Sequence, residues 1–167
     1  MKFFKPELWA KINSEIDRER EEAELEWDRN DKTYWESFKI TKQYLPEQFL
    51  SVYLNNHGFH DCLISGMEIT KKSNDFGGSI SIDIKISKGS QIWLVRYGHV
   101  TKLYLDFVAE DELSFFPGTN NNVWDEWGYD EFSYVGEDML SHEILFSSGR
   151  TILIYFRKIS VENLSKN

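Results

Sequence analysis

The sequence predicts an α+β fold: two or three N-terminal helices, then a curved antiparallel β-sheet or small sandwich of six to seven strands. Three observations predict it. Apolar residues in the first third recur at steps of mostly four. After Gly58 the period falls to two, most plainly where Ile80, Ile82, Ile84 and Ile86 alternate with Ser81, Asp83 and Lys85. Turn-forming clusters, Asp75-Phe76-Gly77-Gly78 and Ser147-Ser148-Gly149-Arg150, separate the later runs.

The first apolar stripe is Leu8, Ile12, Ile16, Ala23 and Trp27, with Arg20 filling one place. Pro6 suits a first turn, and Glu7 follows where the helix dipole favours an acid. The opposite face is crowded with Glu and Arg, as a solvated helix face is. Asn30-Asp31 predicts a break before a second stripe through Tyr34, Phe38, Thr41 and Leu45. Pro46 starts a third, shorter face of Phe49, Leu50, Tyr53 and Leu54, capped by Asn55-Asn56-His57-Gly58.

Strands are expected over Phe59–Thr70, bulged at Gly66, and over Ser79–Ser87. Ile92–Tyr97 and Val100–Val108 follow, as two strands or as one bent at Gly98. Tyr129–Val135, Leu140–Phe146 and Thr151–Val161 complete a meander with the helices packed on one sheet face or closing one end. The chain reads as one domain over 1–167, helical in 1–57 and sheet in 58–161.

Its 167 residues suffice for a buried core, and 16% aromatic content requires large rings to fill it. The net charge of −9 argues against nucleic acid or an anionic membrane as the main partner. One cysteine, Cys62, excludes an internal disulfide and a Cys-based zinc site. The N-terminus has no apolar signal region, and the longest apolar run, Ile152–Phe156, is far short of the roughly 20 residues of a membrane span. A soluble, cytoplasmic chain is expected.

Charge is unevenly spread. Leu103–Gly149 holds eleven acids and no Lys or Arg, so the rest of the chain sums to +2. The acids alternate with rings most densely in Trp124, Asp125, Glu126, Trp127, Tyr129, Asp130 and Glu131. Such a surface suits a basic protein partner, with rings as buried anchors and acids for steering and pairing. The spacing matches no EF-hand loop.

Other chemistry is sparse. His60-Asp61 begins the first strand, where neighbours point to opposite faces, so the pair is expected to tie the strand start to the preceding helix rather than hold a metal. Cys62 reads as a small buried residue. No nucleophile elbow, phosphate loop or dinucleotide fingerprint occurs, and no cofactor or metal is implied. Paired carboxylates for glycoside cleavage are available, but nothing selects a pair.

Several short motifs carry a resemblance. Met1-Lys2-Phe3-Phe4 with Leu8-Trp9, Gly58-Phe59-His60-Asp61-Cys62, and the closing Glu143-Ile144-Leu145-Phe146, Gly149 and Ile152–Phe156 resemble a functionally uncharacterised family of small Gram-positive bacterial proteins. The Phe-His-Asp strand start before an antiparallel sheet is also similar to immunity proteins of bacterial polymorphic toxin systems. That resemblance implies a non-enzymatic inhibitor of a toxin, with no catalytic role for His-Asp and no contact residue to carry over. The expectation is therefore a protein-binding chain that occludes a basic partner. The alternatives are a hydrolase using carboxylates in an aromatic cleft, or a subunit that self-associates through its N-terminal helix.

Overall fold

Pro6 opens the first helix where its missing N–H costs nothing, and α1 spans Pro6–Ile12. The computed structural model describes residues 1–74, 77–106 and 126–165. After α1 come α2 (Asp17–Thr41), a 3-10 turn over Lys42–Tyr44, α3 (Glu47–Asn55) and a second 3-10 turn over His57–Phe59. Eight strands follow: β1 (Cys62–Asn74), β2 (Gly77–Lys88), β3 (Gln91–Gly98), β4 (Lys102–Leu105), β5 (Glu126–Gly136), β6 (Met139–Phe146), β7 (Thr151–Phe156) and β8 (Lys158–Asn163).

The α+β class and the N-terminal helices hold, but the helix break lies earlier than expected. It falls between Ile12 and Asp17, where Asn13 Nδ2 donates to the Trp9 carbonyl at 2.8 Å and Ser14 Oγ accepts from the Ile16 amide. Asn30 and Asp31 stay inside α2 because their side chains have other partners. Asn30 reaches the Phe3 carbonyl at 3.0 Å, and Asp31 accepts from Trp35 Nε1 one turn on.

The sheet is antiparallel throughout, in the order β4-β7-β6-β5-β1-β2-β3-β8. It is not a simple meander, because β5 returns to β1 and β8 returns to β3. The count is eight rather than six or seven because Thr151–Val161, expected as one strand, is two, parted at Arg157. The bulge expected at Gly66 lies one residue earlier, where Ser65 is left out of the register between Ile64 and Gly66. The sheet curls until its ends approach at one corner. There Arg157 N donates to Gly98 O at 3.1 Å, and Thr101 N to Tyr155 O at 2.9 Å.

Alternation along the strands decides what fills the curl. Ile82, Ile84 and Ile86, then Val95 and Tyr97, then Ile152, Ile154 and Phe156 are all fully buried. Each such aliphatic side chain contributes about 1.5–3 kcal/mol relative to exposure. From α3, Phe49 and Tyr53 join Phe59 and Phe132 in one set of ring contacts at 5.4–6.4 Å. The N-terminal segment, α1 and α2 take the other side of β5: Tyr129 lies against Phe4, Trp9 and Trp27. The expected two placements of the helices therefore both occur.

Candidate functional site

The acidic-aromatic segment is largely interior. Trp124 and Asp125 lie outside the described residues. Glu126 is exposed and Tyr129 half-buried, while Trp127, Asp130 and Glu131 are buried. The physical reason is that β5 is covered on both faces from Trp127 to Phe132, so over that stretch neither parity of its alternation is exposed. Gly128 permits this packing: a Cβ there would sit 3.0 Å from the Leu145 carbonyl oxygen. Trp127, Asp130 and Glu131 thus cannot line a docking surface of the folded chain.

Asp130 is the centre of a buried network. Tyr53 OH donates to Oδ1 at 2.5 Å, and Trp127 Nε1 to Oδ2 at 3.2 Å. His142 Nε2 lies 2.9 Å from Oδ2, and its Nδ1 is 2.7 Å from Tyr97 OH. With Tyr97 donating to Nδ1, the imidazole proton sits on Nε2 and points to Asp130. Tyr53 spends its one proton on Asp130, and beside it the Tyr34 hydroxyl oxygen accepts from the Phe132 amide at 3.1 Å. Burial first, and the Asp130 charge second, push the Tyr34, Tyr53 and Tyr97 hydroxyls well above their ordinary range. Phe132 stacks on His142 with centroids 3.7 Å apart.

Glu131 points to the other side and organises the N-terminus. Its Oε1 accepts from the Phe3 and Phe4 amides, each at 2.7 Å, and its Oε2 from Lys2 N at 2.9 Å. Directly opposite Glu131 on β6, Glu143 pairs with the Met1 ammonium at 2.5 Å. Asp130 and Glu131 are adjacent in sequence but on opposite faces. They do not form the close carboxylate pair that glycoside cleavage requires.

His60 and Asp61 do touch, contrary to the opposite-face expectation: His60 Nδ1 is 2.7 Å from Asp61 Oδ1. Asp61 has φ +63, and His57 and Phe59 also adopt positive φ, so the chain here is not extended. The pair ties down the strand start as expected, but to different partners. Lys88, at the end of β2, donates to the His60 carbonyl at 2.8 Å and to Asp61 Oδ2 at 3.3 Å. Asp61 N donates to the Trp127 carbonyl at 2.8 Å, where β1 and β5 have only two register pairs. For Asp61, burial pushes the carboxyl up, but His60 and Lys88 together outweigh it and leave it lowered. Cys62 is buried as expected, and burial pushes its thiol up to about 11.

The open site is elsewhere, at the sheet corner. A cleft of about 470 Å³ is lined there by Arg96, His99, Arg157 and Lys158. Ser79, Ser81 and Ser160 add hydroxyls, and Tyr44, Pro46, Leu140 and Ile159 form an apolar portion. The fold places two cations side by side by a slip in alternation. Ile152, Ile154 and Phe156 point inward in β7, and Ile159 and Val161 in β8, so Arg157 and Lys158 are both exposed. Gly98 lets the strands close up, since a Cβ on it would lie 3.3 Å from Lys158 Cβ. His99 turns the chain at φ +52.

Arg96 is held by Asp83 through two groups, Nε at 2.8 Å and Nη2 at 2.7 Å. Arg157 Nη1 donates to the neutral Glu137 carbonyl. Lys158 forms no ion pair among the described residues, and no carboxylate lines the cleft among them. The arrangement suits an anion. The sequence hid it because Arg96, His99 and Arg157-Lys158 are far apart in the chain and meet only through the corner. The one available signal was the adjacent Arg157-Lys158 where strand alternation fails.

No helix among the described residues is long and apolar enough to cross a membrane, and no group of three or more potential metal ligands occurs among them. Comparison with protein-family models, curated proteins and solved structures returns no match.

Proposed function

We propose that the chain is a non-enzymatic binding protein whose ligand is a small anion held in the corner cleft. One observation carries the reading: in a chain of net charge −9, Arg96, His99, Arg157 and Lys158 converge with three serines on one cavity of about 470 Å³. That volume is within the range of small-molecule sites, about 300–1,000 Å³. The global charge opposes long polyanions, whereas a ligand of a few ångströms responds to the nearest groups, because screening acts over about 10 Å. The groups most suited to acid–base work support binding over chemistry. Asp130 and His142 are engaged with one another in the core, and Cys62 is buried with its thiol at about 11.

The test is a calorimetric and NMR titration of the full chain with inorganic phosphate, sulfate and acetate at low salt. Saturable phosphate binding, weakened about tenfold or more by Lys158→Ala and by Arg157→Ala, is expected. A flat titration that leaves the His99 and Ser160 amides unmoved would overturn the reading.

A basic protein partner, as for an immunity-type inhibitor, is a second reading, now moved to α2. Its outer face presents Glu21, Glu22 and Asp28, with Arg29, around Leu25, which is 58% exposed. The test is capture of a basic protein by the wild-type chain and by the Leu25→Asp variant. Equal retention by both would exclude this face.

A further inference from the structure

We infer that the anion belongs to a molecule that also carries a planar aromatic ring: the cleft takes a phosphate monoester bearing such a ring, as phenyl phosphate and a nucleoside monophosphate both do. This rests on the anion-binding reading and specifies its ligand.

The cleft has two kinds of lining. Arg96, Arg157, Lys158 and His99, with the hydroxyls of Ser79, Ser81 and Ser160, supply more hydrogen-bond donors than a carboxylate's two oxygens use. A phosphate monoester, with three terminal oxygens and close to two negative charges, matches that donor set better. The remaining lining is Tyr44, Pro46, Leu140 and Ile159, which offers nothing to an anion. A ligand that fills the whole space therefore needs an apolar part joined to its phosphate.

The shape of that apolar part follows from Tyr44. Its ring stacks on Tyr134 with centroids 4.1 Å apart and planes 15° from parallel. Both rings are substantially exposed, Tyr44 by 48% and Tyr134 by 40%, so the stack stands outside the core rather than filling it. Tyr44 bridges the turn before α3, and Tyr134 comes from β5, so each ring holds the other in orientation. A pre-oriented ring beside a cationic pocket favours a flat, polarisable partner, since stacking needs a π-face and an alkyl chain lacks one.

The experiment titrates the full chain with inorganic phosphate, n-butyl phosphate, phenyl phosphate and adenosine monophosphate, read by calorimetry and by amide shifts. Phenyl phosphate and adenosine monophosphate should bind more tightly than inorganic and butyl phosphate by roughly five- to a hundredfold, the range of one base–ring stack. Tyr44→Ala should abolish that gain, so that phenyl and butyl phosphate bind alike, and Tyr44→Phe should retain it. Ring-bearing phosphates that bind no more tightly than butyl phosphate would overturn the aromatic assignment and leave the anion site standing. A ring preference that survives Tyr44→Ala would overturn the role of the tyrosine stack. No binding of any phosphate would overturn both this inference and the anion reading. Unchanged thermal unfolding of Tyr44→Ala establishes that the loss is local.

Discussion

Asp130 and His142 meet at 2.9 Å inside the curled sheet, and the Tyr53 hydroxyl and the Trp127 indole N–H also point at the carboxylate. The pairing resembles the base and orienting acid of a hydrolytic site, but here the far imidazole nitrogen is taken by Tyr97 rather than by a free nucleophile. Asp130 joins α3 to β5 and β6 through Tyr53, Trp127 and His142. Asp130→Asn replaces an acceptor with an NH₂ that cannot satisfy all three donors, at a cost of roughly 2–4 kcal/mol in urea unfolding. A change below about 0.5 kcal/mol would show that the network does not hold the core together.

Glu131→Gln tests the clamp on the N-terminal segment. Three backbone amides share this one carboxylate, and the neutral amide accepts more weakly and presents donors of its own. The expected loss is roughly 1.5–3 kcal/mol, with faster amide exchange at Phe3 and Phe4. Exchange at these two positions that matches wild type would refute the clamp.

High pH should unfold the chain cooperatively. The folded-state hydroxyls of Tyr34, Tyr53 and Tyr97 are raised above their unfolded values, by burial first and by Asp130 second. Below pH of about 10 both states keep these protons and pH has no effect through them. Above it, the unfolded chain ionises while the fold resists, so stability falls by about 1.4 kcal/mol per pH unit for each such group. Tyrosinate absorbance from these three should appear together with loss of helical signal. A gradual titration of all eight tyrosines in a still-folded chain would contradict this.

Cys62 should be inert while the protein is folded. It is fully buried at the first residue of β1, with its thiol at about 11, so little thiolate forms at pH 8 and none of it is accessible. Labelling by a thiol reagent should follow the denaturant unfolding curve. Immediate stoichiometric reaction in native buffer would place the thiol at the surface instead.

The fold was legible wherever a local period controlled it. The isoleucine alternation located β2, and the four-residue steps with Pro46 located α3. Failures arose where a distant partner decided. Asn30-Asp31 has the composition of a break, yet Phe3 and Trp35 take up its side chains and keep it helical. Thr151–Val161 has the composition of one strand, but its two halves pair with different neighbours.

The site was less legible for the same reason. Acids between aromatics look like a surface while only one covered face is imagined, and β5 is covered on two. Trp127, Asp130 and Glu131 act as structural groups of the interior rather than as surface contacts. The cleft is assembled from β2, β3, β6, β8 and the turn before α3, and its residues form no local motif.

The slip in alternation at Arg157 separates two kinds of constraint. The number of residues between Phe156 and Ile159 is fixed, since one fewer would turn Ile159 and Val161 outward and put polar side chains in the core. The identities of the two residues in that interval are free of such a demand, because neither side chain enters the core. The corner can therefore change its charge and shape by substitution alone, at little expense to folding. Loss or gain of a single residue at the same point would undo the sheet.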